Sequence, residues 1–220
     1  KELNSICLSS VKYIGPSAFE KCLSLEQINP LLIRKVCDST FKECKKLVNT
    51  NLPDIVESIG NNAYYKCESL KVMPIPIHTK TIGDNAFFEC SSLSSVILNP
   101  NLNTIGKSAF RGCPIDKINI PDLVVSIDEY SFSNCEQLTF VKISKKMKSI
   151  GRSAFESCTS LTQVIIPESV KKIDERAFSD CTSLETIDIS HVKCIEKAAF
   201  KGCVKLKFIN ISSVEKIQSY

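Results

Sequence analysis

The sequence predicts a solenoid of about nine stacked repeats, each 22 or 23 residues long. Three observations support this prediction: a regularly spaced cysteine, an aromatic residue three positions before it, and a β-branched aliphatic residue five positions before the aromatic. The repeated cysteines are Cys22, Cys44, Cys67, Cys90, Cys113, Cys135, Cys158, Cys181 and Cys203. The aromatic residues before them are Phe19, Phe41, Tyr64, Phe87, Phe110, Phe132, Phe155, Phe178 and Phe200. Because so short a repeat cannot bury its apolar side chains alone, the rings and thiols should stack between neighbouring repeats.

The residues that follow each cysteine predict a short β-strand. A leucine usually lies three positions after the cysteine, and apolar and polar side chains alternate after it, as in residues 161–167 and 184–189. Alternation over about six residues is typical of a strand with one buried face. Since the repeats stack, we expect these strands to pair in parallel.

The remaining part of each repeat is predicted to form a single turn of α- or 3₁₀-helix. Its apolar residues are three to five positions apart, and it opens with a turn residue, which is glycine in five of the nine repeats. One strand and one helical turn in about 23 residues match the leucine-rich repeat class. The predicted fold class is therefore an α/β leucine-rich repeat solenoid.

A single domain is predicted for residues 1–220, because the repeat continues without a linker or a low-complexity segment. Both ends hold parts of repeats and lack atypical capping sequences, so we expect a fragment of a longer protein. The sequence contains no run of 18 apolar residues, so no membrane insertion is predicted within this fragment. The net charge is +4, and the one basic cluster, at Lys145, Lys146 and Lys148, is interpreted as a solvated turn. No nucleic-acid partner is predicted.

The twelve cysteines are interpreted as reduced structural residues. The nine repeated ones should point inward and pack as small apolar groups. An odd set cannot pair completely, and in-register side chains rarely reach disulfide geometry. Zinc-ligand spacing does not occur, and the only histidines are His78 and His191, so no metal and no cofactor is predicted. Cys7, Cys37 and Cys194 lie outside the repeated set and are expected to be surface or half-buried thiols.

The complete repeat resembles that of a known family. The pattern Leu-x-x-Ile-x-Ile-Pro-x-x-Val-x-x-Ile-x-x-x-Ala-Phe-x-x-Cys, almost complete from Leu161 to Cys181, is similar to the Treponema pallidum-type leucine-rich repeat of BspA-like surface proteins. The resemblance covers essentially the whole chain, with departures at Tyr64 and near Pro114, where one residue is missing. It implies an arc with a parallel sheet on the concave face and helical turns on the convex side. It also implies a cell-surface or secreted location, adhesion to other cells or matrix proteins, and no catalytic residues.

Candidate binding residues occupy outward positions of the predicted sheet. Most outward residues are polar, whereas four are large and apolar, which suggests a contact site. The alternative is that such residues simply suit strands and pack against their cross-strand neighbours, and both interpretations remain open. The candidate partner-binding residues are Phe140, Lys142, Ile165, Ile97, Lys117, Asp188 and Phe208.

The sequence favours binding over catalysis. It contains no glycine-rich phosphate loop, no His-Glu-x-x-His and no Gly-x-Ser-x-Gly, so we predict that the protein is not an enzyme. The first hypothesis is a surface or secreted adhesin whose concave sheet binds a host or neighbouring-cell protein, such as an extracellular matrix or cell-surface protein. The second is an intracellular scaffold for protein–protein interaction, and a third is a structural spacer.

Overall fold

The computed structural model describes residues 4–218, which form a parallel β-solenoid of about nine coils. Residues 1–3 and 219–220 of the predicted domain lie outside the described residues. The described chain consists of short strands joined by turns. The leucine-rich solenoid architecture predicted from the repeat is therefore confirmed.

Strand segments occur at two positions of a coil. The first position follows the leucine, and its strands are β1 (Ser5–Leu8), β2 (Gln27–Pro30), β5 (Val72–Pro74), β7 (Ser95–Ile97), β9 (Lys117–Asn119), β10 (Phe140–Lys142), β12 (Gln163–Ile165), β14 (Thr186–Ile187) and β16 (Phe208–Ile209). The second position ends on the β-branched aliphatic residue, and its strands are β3 (Lys35–Val36), β4 (Ser58–Ile59), β6 (Thr81–Ile82), β8 (Thr104–Ile105), β11 (Ser149–Ile150), β13 (Lys172–Ile173), β15 (Cys194–Ile195) and β17 (Lys216–Ile217). We call these two rows the first sheet and the second sheet.

Strand pairing is parallel and in register, as the stacking of repeats predicts. In the first sheet, Val141 pairs with Ile118 on one side and Val164 on the other. In the second sheet, Ile127 forms single parallel bridges to Ile105 and Ile150. The row therefore continues through this coil, although the coil has no strand of two or more residues at that position. Equivalent residues of successive coils consequently form columns with a spacing of roughly 4.8 Å.

The predicted helical turns are wrong, because none of the described residues is helical. In each coil, two residues with positive φ flank the aromatic residue, for example Ser153 (φ 50°) and Ser157 (φ 58°) around Phe155. Left-handed residues interrupt the right-handed backbone that a helix requires. The Phe155 amide instead donates to the Ala177 carbonyl of the next coil at 2.9 Å, while the Glu156 amide closes a turn with the Ser153 carbonyl at 3.2 Å. The turns are thus bonded from coil to coil.

The repeated aromatic residues form one continuous stack inside the solenoid. From Phe19 to Phe200, neighbouring ring centroids are 5.1–5.7 Å apart. The rings from Phe41 to Phe178 are completely buried. At Tyr64 the buried hydroxyl is 3.4 Å from the Thr50 hydroxyl, which offers the polar group a partner. The stack buries a large apolar area between every two neighbouring coils, and this burial stabilises the folded state.

The repeated cysteines also connect successive coils. The Cys158 thiol donates to the Phe132 carbonyl of the preceding coil at 3.2 Å. Seven further repeated cysteines form the same bond at 2.9–3.2 Å. The interpretation of the repeated cysteines as small apolar groups is therefore incomplete, because each of these thiols also donates a hydrogen bond. Only a reduced cysteine has the S–H group that this hydrogen bond requires.

The three other cysteines differ in exposure. Cys7 is exposed and Cys194 is half-buried, in agreement with the prediction. Cys37 is buried, contrary to the prediction. The next coil covers it: a Cβ added to Gly60 would lie only 2.8 Å from the carbonyl carbon of Cys37. Such close backbone approach explains why glycine recurs at this position.

We expect the Phe155→Ala substitution to lower the free energy of unfolding by about 3–5 kcal/mol, because both neighbouring rings lose a contact and a cavity forms. The control, Gln137→Ala at an exposed turn position, should change it by less than about 0.5 kcal/mol. Urea denaturation followed by circular dichroism measures both. Equal effects of the two substitutions would contradict the ring stack as the main stabilising contact.

Thiol reactivity should follow burial. Burial raises the pKa of the Cys44 and Cys135 thiols to about 12, so their thiolate fraction at about pH 8 is on the order of 10⁻⁴. We expect iodoacetamide to modify exposed Cys7 in the folded protein and to modify Cys44 and Cys135 only after denaturation. Peptide mass spectrometry quantifies each site. Similar native rates at Cys7 and Cys135 would show that the cysteine column is accessible.

Candidate functional site

Three of the predicted binding residues lie together on strands β10 and β12. Phe140 and Lys142 flank the buried Val141 on β10, so both belong to the outward face of the first sheet. Ile165 of β12 pairs directly with Lys142. Ile165 is 43% exposed, whereas Phe140 is half-buried. The structure therefore brings two apolar groups and a cation into adjacent positions.

Lys117 completes this group from the other side. It lies on β9 and pairs with Phe140. Its ammonium nitrogen is 3.9 Å from the Asp116 carboxylate, and because both groups are exposed this pair contributes little. Strands β9, β10 and β12 contain no acidic residue. We call Lys117, Phe140, Lys142 and Ile165 the central cluster.

Two predicted apolar residues lie away from the central cluster. Ile97 of β7 is 61% exposed and pairs with Pro74. Strands β9 and β10 stand between it and Ile165 in the stacking order. Phe208 of β16 is 74% exposed and lies beyond β14, where it pairs with Thr186. The four apolar residues consequently do not form one continuous surface.

Asp188 takes a local structural role. It follows the last residue of β14, and its carboxylate accepts the amide hydrogen of Ser190 at 3.0 Å. This hydrogen bond lowers the pKa of the Asp188 carboxyl. The carboxylate thus stabilises a turn at the sheet margin.

Two depressions lie along the first sheet. One of about 270 Å³ borders the central cluster and is lined by Leu98, Pro100, Asn119, Ile120, Pro121, Asp122 and Lys142. Another of about 460 Å³ is lined by residues of two earlier coils and includes Val72, which is 49% exposed. The candidate binding residues predicted from the sequence did not include Val72. Like Ile97, however, Val72 is a large apolar residue at an outward strand position, so the same reasoning could have identified it.

A row of cations and rings covers the turns on another side. The rings of Tyr65 and Phe88 stack with centroids 4.9 Å apart. The Arg111 guanidinium lies 5.7 Å from the Phe88 ring and 5.5 Å from the Tyr130 ring. All four side chains are half-buried against one another, so these contacts stabilise the turn surface itself.

A depression of about 550 Å³ lies on the second sheet and contains paired charges. Arg152 contacts Glu175 at 2.5 Å, and Lys172 lies 2.6 Å from Asp174 and 3.3 Å from Glu196. The hydrogen bond from Arg152 lowers the pKa of the Glu175 carboxyl. These opposite charges neutralise one another as ion pairs.

Residues 4–218 lack two further features, a metal site and a membrane-spanning helix. That part of the chain brings no three histidine, cysteine or acidic side chains together as a metal site. It also contains no helix long and apolar enough to cross a membrane.

The comparisons with known proteins agree with this geometry. The family model described as BspA type leucine-rich repeat region matches residues 12–137 and 104–220. The solved leucine-rich repeat protein of T. pallidum is 27% identical, with 73% of this chain and 78% of that chain covered and a TM-score of 0.68. Comparison with curated protein sequences yields no match.

Two further solved structures extend the comparison. A leucine-rich cell surface protein of Faecalibacterium prausnitzii is 28% identical, covers 96% of this chain and has a TM-score of 0.59. This chain spans 64% of that protein, less than two thirds of its length. A leucine-rich repeat protein of Eubacterium ventriosum, 18% identical over 90% of this chain and 82% of that one, shares the fold with a TM-score of 0.52. With the stacked coils and the family match over residues 12–220, the chain belongs to the BspA-type leucine-rich repeat family.

Proposed function

We propose that this protein is a cell-surface or secreted adhesion module that binds a protein of a host or neighbouring cell through the first sheet. The observation that carries the proposal is the central cluster, in which exposed Lys117 pairs with Phe140 and exposed Lys142 pairs with Ile165 on neighbouring strands. Repeats of this family generally serve as binding scaffolds without enzymatic activity. The arc-shaped presentation implied by the family would place this sheet on the concave side.

The chemistry of the cluster defines its preferred partner. Lys117 and Lys142 add two positive charges to a strand face without carboxylates. A partner surface with an apolar side chain flanked by Asp or Glu would match both the shape and the charge. Because the cluster residues are held by strand pairing, binding costs little backbone ordering.

The proposed location is supported by a relative. The Faecalibacterium prausnitzii protein is described as a cell surface protein, and this chain resembles it over nearly its whole length. An intracellular scaffold is the second candidate. It is favoured by the thiol hydrogen bonds, such as that from Cys158 to Phe132, since these require reduced cysteines, which a reducing compartment maintains.

We expect the double substitution Phe140→Ser and Ile165→Ser to weaken partner binding by about 10- to 100-fold, as loss of central apolar contacts does at interfaces. The partner is first captured from host-cell and matrix extracts with the unmodified protein, and affinities are then measured by surface plasmon resonance. The matched control is Ile77→Ser with Leu123→Ser, which removes similarly exposed apolar groups from turns off the sheet. Unchanged affinity of the folded Phe140/Ile165 variant would reject the central cluster as the site.

Location is tested separately. We expect an antibody against this domain to label intact cells of the source organism as strongly as permeabilised cells, because a surface domain is accessible without permeabilisation. An antibody against a cytosolic protein controls for leakage. Labelling that appears only after permeabilisation would favour the intracellular scaffold.

A further inference from the structure

Lysines of three successive coils form a column beside the second sheet. The Lys171 amide donates to the Lys148 carbonyl at 2.8 Å, and the Lys193 amide donates to the Lys171 carbonyl at 2.9 Å. These bonds place the three residues at equivalent positions, with neighbouring backbones roughly 4.8 Å apart. All three residues are exposed, as is Lys146 in the turn just before Lys148. We call Lys146, Lys148, Lys171 and Lys193 the lysine column.

Most charges of the lysine column are not neutralised by the protein. Within the described residues, no carboxylate lies within 4.0 Å of the ammonium groups of Lys146, Lys148 or Lys171. The Lys171 ammonium donates only to a backbone carbonyl, that of His191, at 3.4 Å. Lys193 is the exception, paired with Glu215 at 2.7 Å. Like charges at such spacing repel one another, so an anionic ligand that spans them is favoured.

Carboxylates contact the residues that precede and follow the lysine column in the chain. Asp122 lies at the turn, where its carboxylate accepts the Lys145 amide hydrogen at 3.0 Å. Directly after Lys171 in the chain, Lys172 is neutralised by Asp174 and Glu196. The uncompensated positive charge, that of Lys146, Lys148 and Lys171, is therefore a narrow strip that crosses two neighbouring coils along the stacking direction. A thin linear polyanion fits this strip, whereas a wide duplex would meet the bordering carboxylates.

We propose that the lysine column binds a linear sulfated polysaccharide aligned with the solenoid axis. Single-stranded nucleic acid is less well matched, since its bases require aromatic stacking surfaces. The neighbouring outward positions hold Ser149, Lys172 and Cys194, none of them aromatic. The choice of a polysaccharide rests on the surface or secreted location proposed above, but the site lies on the second sheet and does not use the central cluster.

Heparin is the probe that tests this proposal. The variant Lys146→Gln, Lys148→Gln and Lys171→Gln should bind heparin at least about 30-fold more weakly at about 0.15 M salt. In a plot of log affinity against log salt concentration, the slope should become less steep by about one unit for each lysine removed. The control is Lys12→Gln, Lys35→Gln and Lys80→Gln, which removes the same charge from exposed positions of earlier coils. It should weaken binding by less than about 3-fold.

Each other result has a defined meaning. Equal weakening by both triple variants would show that net charge alone attracts heparin, and absence of heparin binding by the unmodified protein would overturn the proposal outright. Tighter binding of single-stranded RNA or duplex DNA through the same lysines would identify nucleic acid as the occupant and reject the polysaccharide. Chemically desulfated heparin should bind weakly. The Phe140→Ser and Ile165→Ser variant should retain heparin binding, so failure of one site is distinguishable from failure of the other.

Discussion

Every coil of this protein depends on the contact with its neighbours. A coil of about 23 residues has no interior of its own, so its ring, its thiol and many of its backbone amides find their partners in adjacent coils. Phe155 shows all of this at once, because its ring stacks between Phe132 and Phe178 while its amide donates to Ala177. Substitutions that interrupt the stack should therefore affect three coils.

This constraint separates structural positions from functional ones. Inward columns hold closely similar side chains in successive coils, because a change in one disturbs the packing of the next. Outward columns carry no such requirement, and there the chain places unlike residues, such as Phe140 beside Lys117 and Gln163. The two sheets thereby present different chemistries on one scaffold. We propose an acidic and apolar protein surface as the partner of the central cluster and an extended polyanion as the ligand of the lysine column.

The failed helix prediction has a physical origin. Apolar residues three to five positions apart suit a helical turn, but they equally suit two tight turns separated by residues in the left-handed region. Serine, lysine and glutamate occupy many of these left-handed positions, for example Lys21, Glu43 and Ser157, and their identities do not reveal a positive φ. Asparagine and glycine, which favour a positive φ, occupy only some of them, such as Asn85 and Gly112. Bonds to the next coil compensate for the strain. The second sheet escaped prediction because two-residue strands are too short to show alternation.

The sequence by itself determined the repeat, its register and the inward ring and thiol columns, because burial demands one residue type at a fixed interval. It also indicated Phe140 and Ile165, since large apolar groups stand out at outward strand positions, and Lys142 as the cation beside them. Tertiary structure decided which outward residues are neighbours. Lys148, Lys171 and Lys193 are 22 or 23 residues apart in the chain but adjacent across coils, and only the stacking register, set by hydrogen bonds between coils, brings their charges together.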